Sequence, residues 1–327
     1  MSRHVLLCSL LLLAGLPATA QDFDRTEITE RAFKVEPGQT LTIDADLGRV
    51  ILVGKDTDEV YVRVIEGTNN MSRDRSEDLF ERHEVSFRET QGGLEVYGDY
   101  DGNQSWRRGR RLHVVYEVAL PHDLYADVKT SGGSVHAEAI DGDVTLRTSG
   151  GSVRAMEIGG ILEVRTSGGS IEVKEARDKV DLRTSGGSIS LTDVAGDARC
   201  RTSGGTISAD NVRGVMEART SGGSIRLTEM YGSVDAQTSG GSIAAEMMEQ
   251  PDEDMTLRTS GGSVTLTMSE DVRARIDAQA SGGRVRSDLP ITVRGEIKRS
   301  HLRGTMNGGG PLLTLRSSGG NVNLRAH

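Results

Sequence analysis

The motif Thr-Ser-Gly-Gly-Ser/Thr begins at Thr130, Thr148, Thr166, Thr184, Thr202, Thr220 and Thr238, with 18 residues between successive starts. It recurs at Thr259 and, as Ala-Ser-Gly-Gly-Arg, at Ala280, each after a spacing of 21 residues. A degenerate copy, Ser317-Ser318-Gly319-Gly320, closes the series, and the ten copies hold twenty of the 41 glycines. A fixed period of this length is the signature of a stacked repeat. One 18-residue unit has too little apolar surface to form a core alone, so its stability has to come from neighbouring units.

Each unit reads as two short strands and two bends. Ser188-Ile189-Ser190-Leu191 alternates apolar and polar, as does Ala198-Arg199-Cys200-Arg201 before the next Thr202. Period-two alternation over four or five residues marks a strand. Gly-Gly is expected to supply positive-φ turn conformations, and Gly142, Gly160, Gly196, Gly214 and Gly232 mark a second bend. Parallel stacking places equivalent residues about 4.8 Å apart. The inward ladder becomes Val135, Val153, Ile171, Ile189, Ile207, Ile225 and Ile243, facing Leu146, Val164, Leu182, Cys200, Ala218 and Ala236. A thin core of aliphatic side chains also accounts for an aromatic content of only 3%. The expected fold is all-β: a β-solenoid of 18-residue coils over residues 129–327, preceded by a degenerate β cap over residues 21–128. A calcium β-roll has similar arithmetic but needs a carboxylate in each glycine-rich turn. Thr-Ser-Gly-Gly has none, so no metal and no cofactor is expected.

Residues 1–20 read as a secretory signal peptide: Arg3 and His4, an apolar run from Val5 to Leu16, then Ala18-Thr19-Ala20 as a cleavage site. The run is too short to span a bilayer, and no later stretch reaches about 18 apolar residues. Export to the periplasm, cell surface or medium is expected. The formal charge is -9, and loss of Arg3 leaves 38 basic against 48 acidic residues, or -10. That excess argues against nucleic acid, whose binding needs a basic surface. Loss of Cys8 leaves Cys200 alone, within the core ladder.

The N-terminal third lacks the repeat tag yet alternates like strands: Phe33 to Gly38, Thr40 to Ile43, Leu94 to Tyr97 and His113 to Leu120. Gly48 to Val53 and Glu59 to Val64 look like one degenerate coil, and Ser76 to Glu84 like one or two helical turns. The last strand, Asn321 to Arg325, has no evident cap, which leaves it open to end-to-end pairing. The segments FKVEPGQTLTIDADLGRVILVG, VVYEVALP and LYADVKTSGGSV, with the serial TSGGS units, resemble the bacterial putative-adhesin family of YvlB- and LiaG-like envelope proteins. The resemblance runs from about Phe33 to Leu324. It implies a solenoid, an envelope location and, for some members, a place beside envelope-stress systems, with no catalytic residues to carry over. Two 21-residue units and a long insert between Ala280 and Ser317 depart from the pattern.

Three features carry candidate chemistry. A cation stands before each repeat threonine: Lys129, Arg147, Arg165, Arg183, Arg201 and Arg219. Such a row suits an anionic glycan or lipid headgroup, because guanidinium pairs bidentately with phosphate and carboxylate. The plainer reading is neutralisation by Glu163, Asp181, Glu217 and Asp235, two residues earlier on the same face. Those acids, one coil apart, also approach the separation used by retaining glycosidases. Adjacent arginines would depress their pKa values, against a general-acid role, and the histidines show no clustered spacing. A carbohydrate-active enzyme is therefore the alternative, and a non-catalytic scaffold the expectation. Finally, Trp106, Arg107, Arg108, Arg110 and Arg111 put the lone tryptophan beside four arginines, either a contact for anionic glycan or membrane headgroup or a solvated hairpin tip whose tryptophan covers the solenoid end. A protein partner in envelope-stress sensing is a further reading, on the family resemblance alone. Ser134, Ser152, Ser170, Ser188, Thr206, Ser224, Ser242 and Ser263 form a small polar strip, either a docking face for a partner or glycan or, the plainer reading, turn hydrogen bonding.

Overall fold

The computed structural model describes residues 23–101, 112–293 and 298–327. The leader, residues 1–20, and the segment from Trp106 to Arg111 lie outside the described residues. The chain divides after Thr166 into two compact units. Each is built from two β-sheets, and one helix, Arg73–Glu81, interrupts the first. It starts and stops earlier than the sequence suggests.

In the first unit one sheet runs in spatial order Arg25–Lys34, Glu59–Thr68, Leu112–Pro121, Arg49–Lys55, Val135–Ile140, Val153–Ile158. The other runs His83–Thr90, Gly93–Tyr100, Thr40–Ala45, Tyr125–Thr130, Val144–Thr148, Leu162–Thr166. The coil formed by Thr40–Ala45 and Arg49–Lys55 is thus held between later chain segments, Gly93–Tyr100 and Leu112–Pro121 on one side and Tyr125–Thr130 and Val135–Ile140 on the other, all pairing in parallel. Glu59–Thr68 does not complete that coil. It pairs antiparallel with Leu112–Pro121 and with Arg25–Lys34. Antiparallel strands therefore terminate both sheets of this unit, and the outer one, Arg25–Lys34, carries Arg25, Glu27, Glu30, Arg31 and Lys34. Charges on an edge strand discourage pairing with another chain.

The second unit repeats a regular coil. Ile171–Ala176, Ile189–Val194, Ile207–Val212, Ile225–Met230 and Ile243–Met247 stack in parallel register, with Ile189, Ile207, Ile225 and Ile243 buried in one column. Val180–Arg183, Ala198–Arg201, Met216–Arg219 and Val234–Thr238 form the facing sheet. Leu182, Cys200, Ala218 and Ala236 fill the opposite column, all fully buried.

The C-terminal coil departs from chain order. Leu312–Ser317 pairs with Met255–Thr259 on one side and Ala274–Ala280 on the other. Val322–Ala326 likewise lies between Val264–Met268 and Val285–Ser287. The last strand is an interior strand, so it is not the open edge that its position in the sequence suggests. The edges of this unit include the antiparallel strand His301–Met306 and the three-residue Val285–Ser287.

The Gly-Gly turns also work differently from the sequence expectation. None of these glycines lies in the left-handed region. The second glycine is required by close stacking instead: a Cβ on Gly187 would stand 2.0 Å from the Gly169 carbonyl oxygen, and one on Gly205 2.0 Å from that of Gly187. The left-handed residue sits at the other bend and is not glycine. Ala139, Glu157, Glu175, Asp193, Asn211 and Glu229 occupy this position with φ between 52° and 59°. In the 21-residue unit the register shifts after Leu227 and this residue is lost.

Candidate functional site

The outward face of each coil beside the Gly-Gly turn carries the cation row, and strand alternation places it there. In the first unit Lys129 Nζ donates to both Asp44 oxygens at 2.8 and 3.1 Å, and Arg147 Nη1 to Asp127 at 2.6 Å. Arg165 Nη2 lies 3.8 Å from Glu163. In the second unit Arg183 binds Asp181 through Nε and Nη2 at 3.0 and 2.8 Å. Glu217 is shared by Arg199 at 2.6 Å, Arg201 at 2.7 Å and Arg219 at 3.2 Å, while Arg219 also reaches Asp235 at 3.1 Å.

Burial alone would raise the Glu217 carboxyl. The hydrogen bonds from Arg201 and Arg199, with the charge of Arg219, outweigh it and hold the group below the ordinary glutamate range. A carboxylate so held is an acceptor of ion pairs, not a proton donor. Glu217, one of the acids the glycosidase alternative would use, is thus held against a general-acid role.

The neighbouring rows are structural. Thr202 Oγ1 donates to the Gly187 carbonyl at 2.8 Å and accepts from the Gly205 amide at 3.3 Å. Thr184, Thr220, Thr238 and Thr259 repeat the first bond, and Thr130, Thr148 and Thr166 make it in the first unit. The serine strip accepts backbone amides from the next coil: Ser170 from Ser188, Ser188 from Thr206, Ser224 from Ser242. These hydroxyls stitch coils together and are committed to that task.

Two clusters escape sequence reasoning because their members are distant in the chain. His83 is buried between Glu66 and Tyr116, with ring nitrogens 2.9 Å from Glu66 Oε1 and 3.0 Å from the Tyr116 hydroxyl. Burial and the charge of Glu66 push the Tyr116 phenol up. Asp277 is gripped by Arg316 at 2.7 Å, His301 at 3.0 Å and Arg303 at 3.3 Å. Chiefly through Arg316, that grip holds its carboxyl far below the usual range. No signal at the level of spacing links residues 277, 301 and 316. Among the described residues, no group of three or more His, Cys, Asp or Glu side chains is arranged to hold a metal ion, and no helix is long and apolar enough to cross a membrane.

These features define a β-solenoid with a charge-paired outer ladder and threonine-stitched turns. The sequence pattern of the Toastrack DUF4097 family matches residues 160–325, and the chain belongs to that family. No curated protein matches the sequence. Solved structures similar to it include a putative lipid binding protein from Parabacteroides distasonis, 12% identical over 91% of this chain and 96% of that chain, with a TM-score of 0.42. A putative adhesin from the same organism has the same identity and TM-score over 91% and 97%. One from Bacteroides fragilis is 12% identical over 92% and 97%, with a TM-score of 0.32.

Proposed function

We propose that the protein is an exported, non-catalytic scaffold of the cell envelope that contacts an anionic glycan or lipid headgroup. Contact is made by the ladder of Arg147, Arg165, Arg183, Arg201 and Arg219 and by Trp106, Arg107, Arg108, Arg110 and Arg111. Residues 1–20 act as the leader, 21–128 as the end-covering region and 129–327 as the repeat array. The observation that carries the reading is the sharing of Glu217 among Arg199, Arg201 and Arg219. A guanidinium has five N–H donors, so one shared carboxylate leaves donors directed at solvent on a partly exposed face. Repetition turns weak single contacts into avidity along a polymer.

Heparin and lipopolysaccharide resins at low and physiological salt test the proposal. Charge reversal at Arg165 and Arg183 is expected to lower the salt needed for elution, since fewer counterions are released. Unchanged elution of both variants would overturn the ladder as the contact surface.

A further inference from the structure

Toward the C-terminal coils the ladder's chemistry changes. Gln237, Arg258, Arg316 and Gln279 follow one another as paired neighbours across four adjacent strands. Two residues earlier, the row that holds Asp235 continues as Thr256, Thr314 and Asp277. Arg258 and Arg316 are thus direct cross-strand neighbours with threonines where a carboxylate stands at Asp235. Like charges facing each other across strands are destabilising unless an anion lies with them.

Asp277 answers Arg316 with a bidentate pair, but it lies one strand beyond Arg316 from Arg258. The Arg258 side chain is exposed and has no ion pair or hydrogen bond among the described residues. Around it the surface forms a polar groove of about 210 Å³ lined by Arg258, Gln279, Ser281, Arg316, Ser317 and Ser318. Ser317 is committed to the Gly262 carbonyl and the Gly320 amide. The hydroxyls of Ser281 and Ser318 have no hydrogen-bond partner among the described residues. Arg303 adds a second guanidinium to the single carboxylate of Asp277.

The wider charge agrees. Residues 255–327 hold 11 Lys and Arg against five Asp and Glu, a balance of +6, in a chain whose total is -9. Residues 1–254 accordingly carry -15.

We propose that the groove between Arg258 and Arg316 is a binding site for a tetrahedral oxyanion, a phosphate ester group. Guanidinium, amide and two hydroxyls offer donors from several directions, which suits a group with three acceptor oxygens better than a planar carboxylate with two. The site rests on its own residues, so it stands or falls apart from the contact proposed for the paired ladder.

Calorimetric titration of the purified chain with inorganic phosphate, in chloride buffer of constant ionic strength, tests it. A parallel arm uses vesicles of phosphatidic acid in phosphatidylcholine against phosphatidylcholine alone. Saturable phosphate binding is expected, weakened at least tenfold by Arg258→Gln and by Thr256→Glu, which restores the missing carboxylate. Binding seen only with phosphatidate vesicles, with the same dependence on Arg258, assigns the phosphate to a lipid headgroup. Absence of binding in both arms, wild-type affinity in Arg258→Gln, or equal competition by acetate would overturn the proposal. Both substitutions are at outward-facing strand positions, and an unchanged melting temperature keeps misfolding from imitating loss of the site. Loss of heparin retention in the ladder variants, with phosphate binding intact, separates the two contact surfaces.

Discussion

The Thr202 hydroxyl reaches back 15 residues to the Gly187 carbonyl while accepting the Gly205 amide three residues ahead. One side chain thereby joins two successive turns, and its 7% exposure leaves water little access to either bond. Thr202→Val keeps the shape and removes the donor. It is expected to lower stability by about 1–3 kcal/mol, because a carbonyl in the turn stack loses its partner. Thr202→Ser should retain most of that stability, since Ser317 makes the same bond to Gly262 at 2.7 Å. Thermal and urea melts of the two variants give the comparison.

The two glycines of one turn should respond unequally. A Cβ on Gly187 meets the Gly169 carbonyl oxygen at 2.0 Å, whereas one on Gly186 meets its nearest atom at 3.5 Å. Gly187→Ala is expected to prevent coil stacking or to cost several kcal/mol, in the range of severe overpacking at about 1–3 kcal/mol or more. Gly186→Ala should shift the melt by a small fraction of that. Equal effects would show that the turns are not in van der Waals register.

Glu229 holds a left-handed backbone at φ 53°, a conformation that costs an L-residue about 1–2 kcal/mol. Glycine adopts it freely but loses more entropy on folding. Glu229→Gly should therefore stabilise by about 0.5–1 kcal/mol. A higher urea midpoint with unchanged slope is the expected result.

Acid should weaken the ladder. Glu217 is held below its ordinary pKa in the folded chain, so its contribution is complete above the unfolded value of about 4.3. That contribution is lost as pH falls through the lower folded value. Denaturation followed from pH 7 down to pH 2 should show a smaller acid loss in Glu217→Gln than in the wild type. An identical pH dependence would mean that the arginines gain nothing from this carboxylate.

Cys200 should be chemically silent while folded. It is fully buried, and burial, with the nearby charge of Asp181, pushes its thiol far up. The thiolate is the reactive form, so iodoacetamide is expected to label Cys200 only after denaturation.

Much of this was legible in the chain itself. The repeat places Ile189, Ile207 and Ile225 in one column and Cys200 in the other, and the structure finds them buried there. The pairing of Arg183 with Asp181 follows from alternation, because both residues lie on the same face two positions apart. The glycines were readable as indispensable but not in their reason. Close stacking of Gly187 on Gly169 is a relation between coils, whereas a positive φ would have been local. His83, Glu66 and Tyr116 gave no signal, since three strands of unlike sequence have to meet before they touch.

Coil length, core columns and the alternation of charge on the outer face are local properties, set by an 18-residue period and a strand's two-residue pleat. The order of coils at each end is not. Strand edges pair wherever a free edge of matching register is offered, and chain order does not say which edge is filled first. Tertiary structure alone placed residues 312–326 between two earlier coils. That insertion moved Asp277 one strand away from Arg258 and set Arg316 there instead.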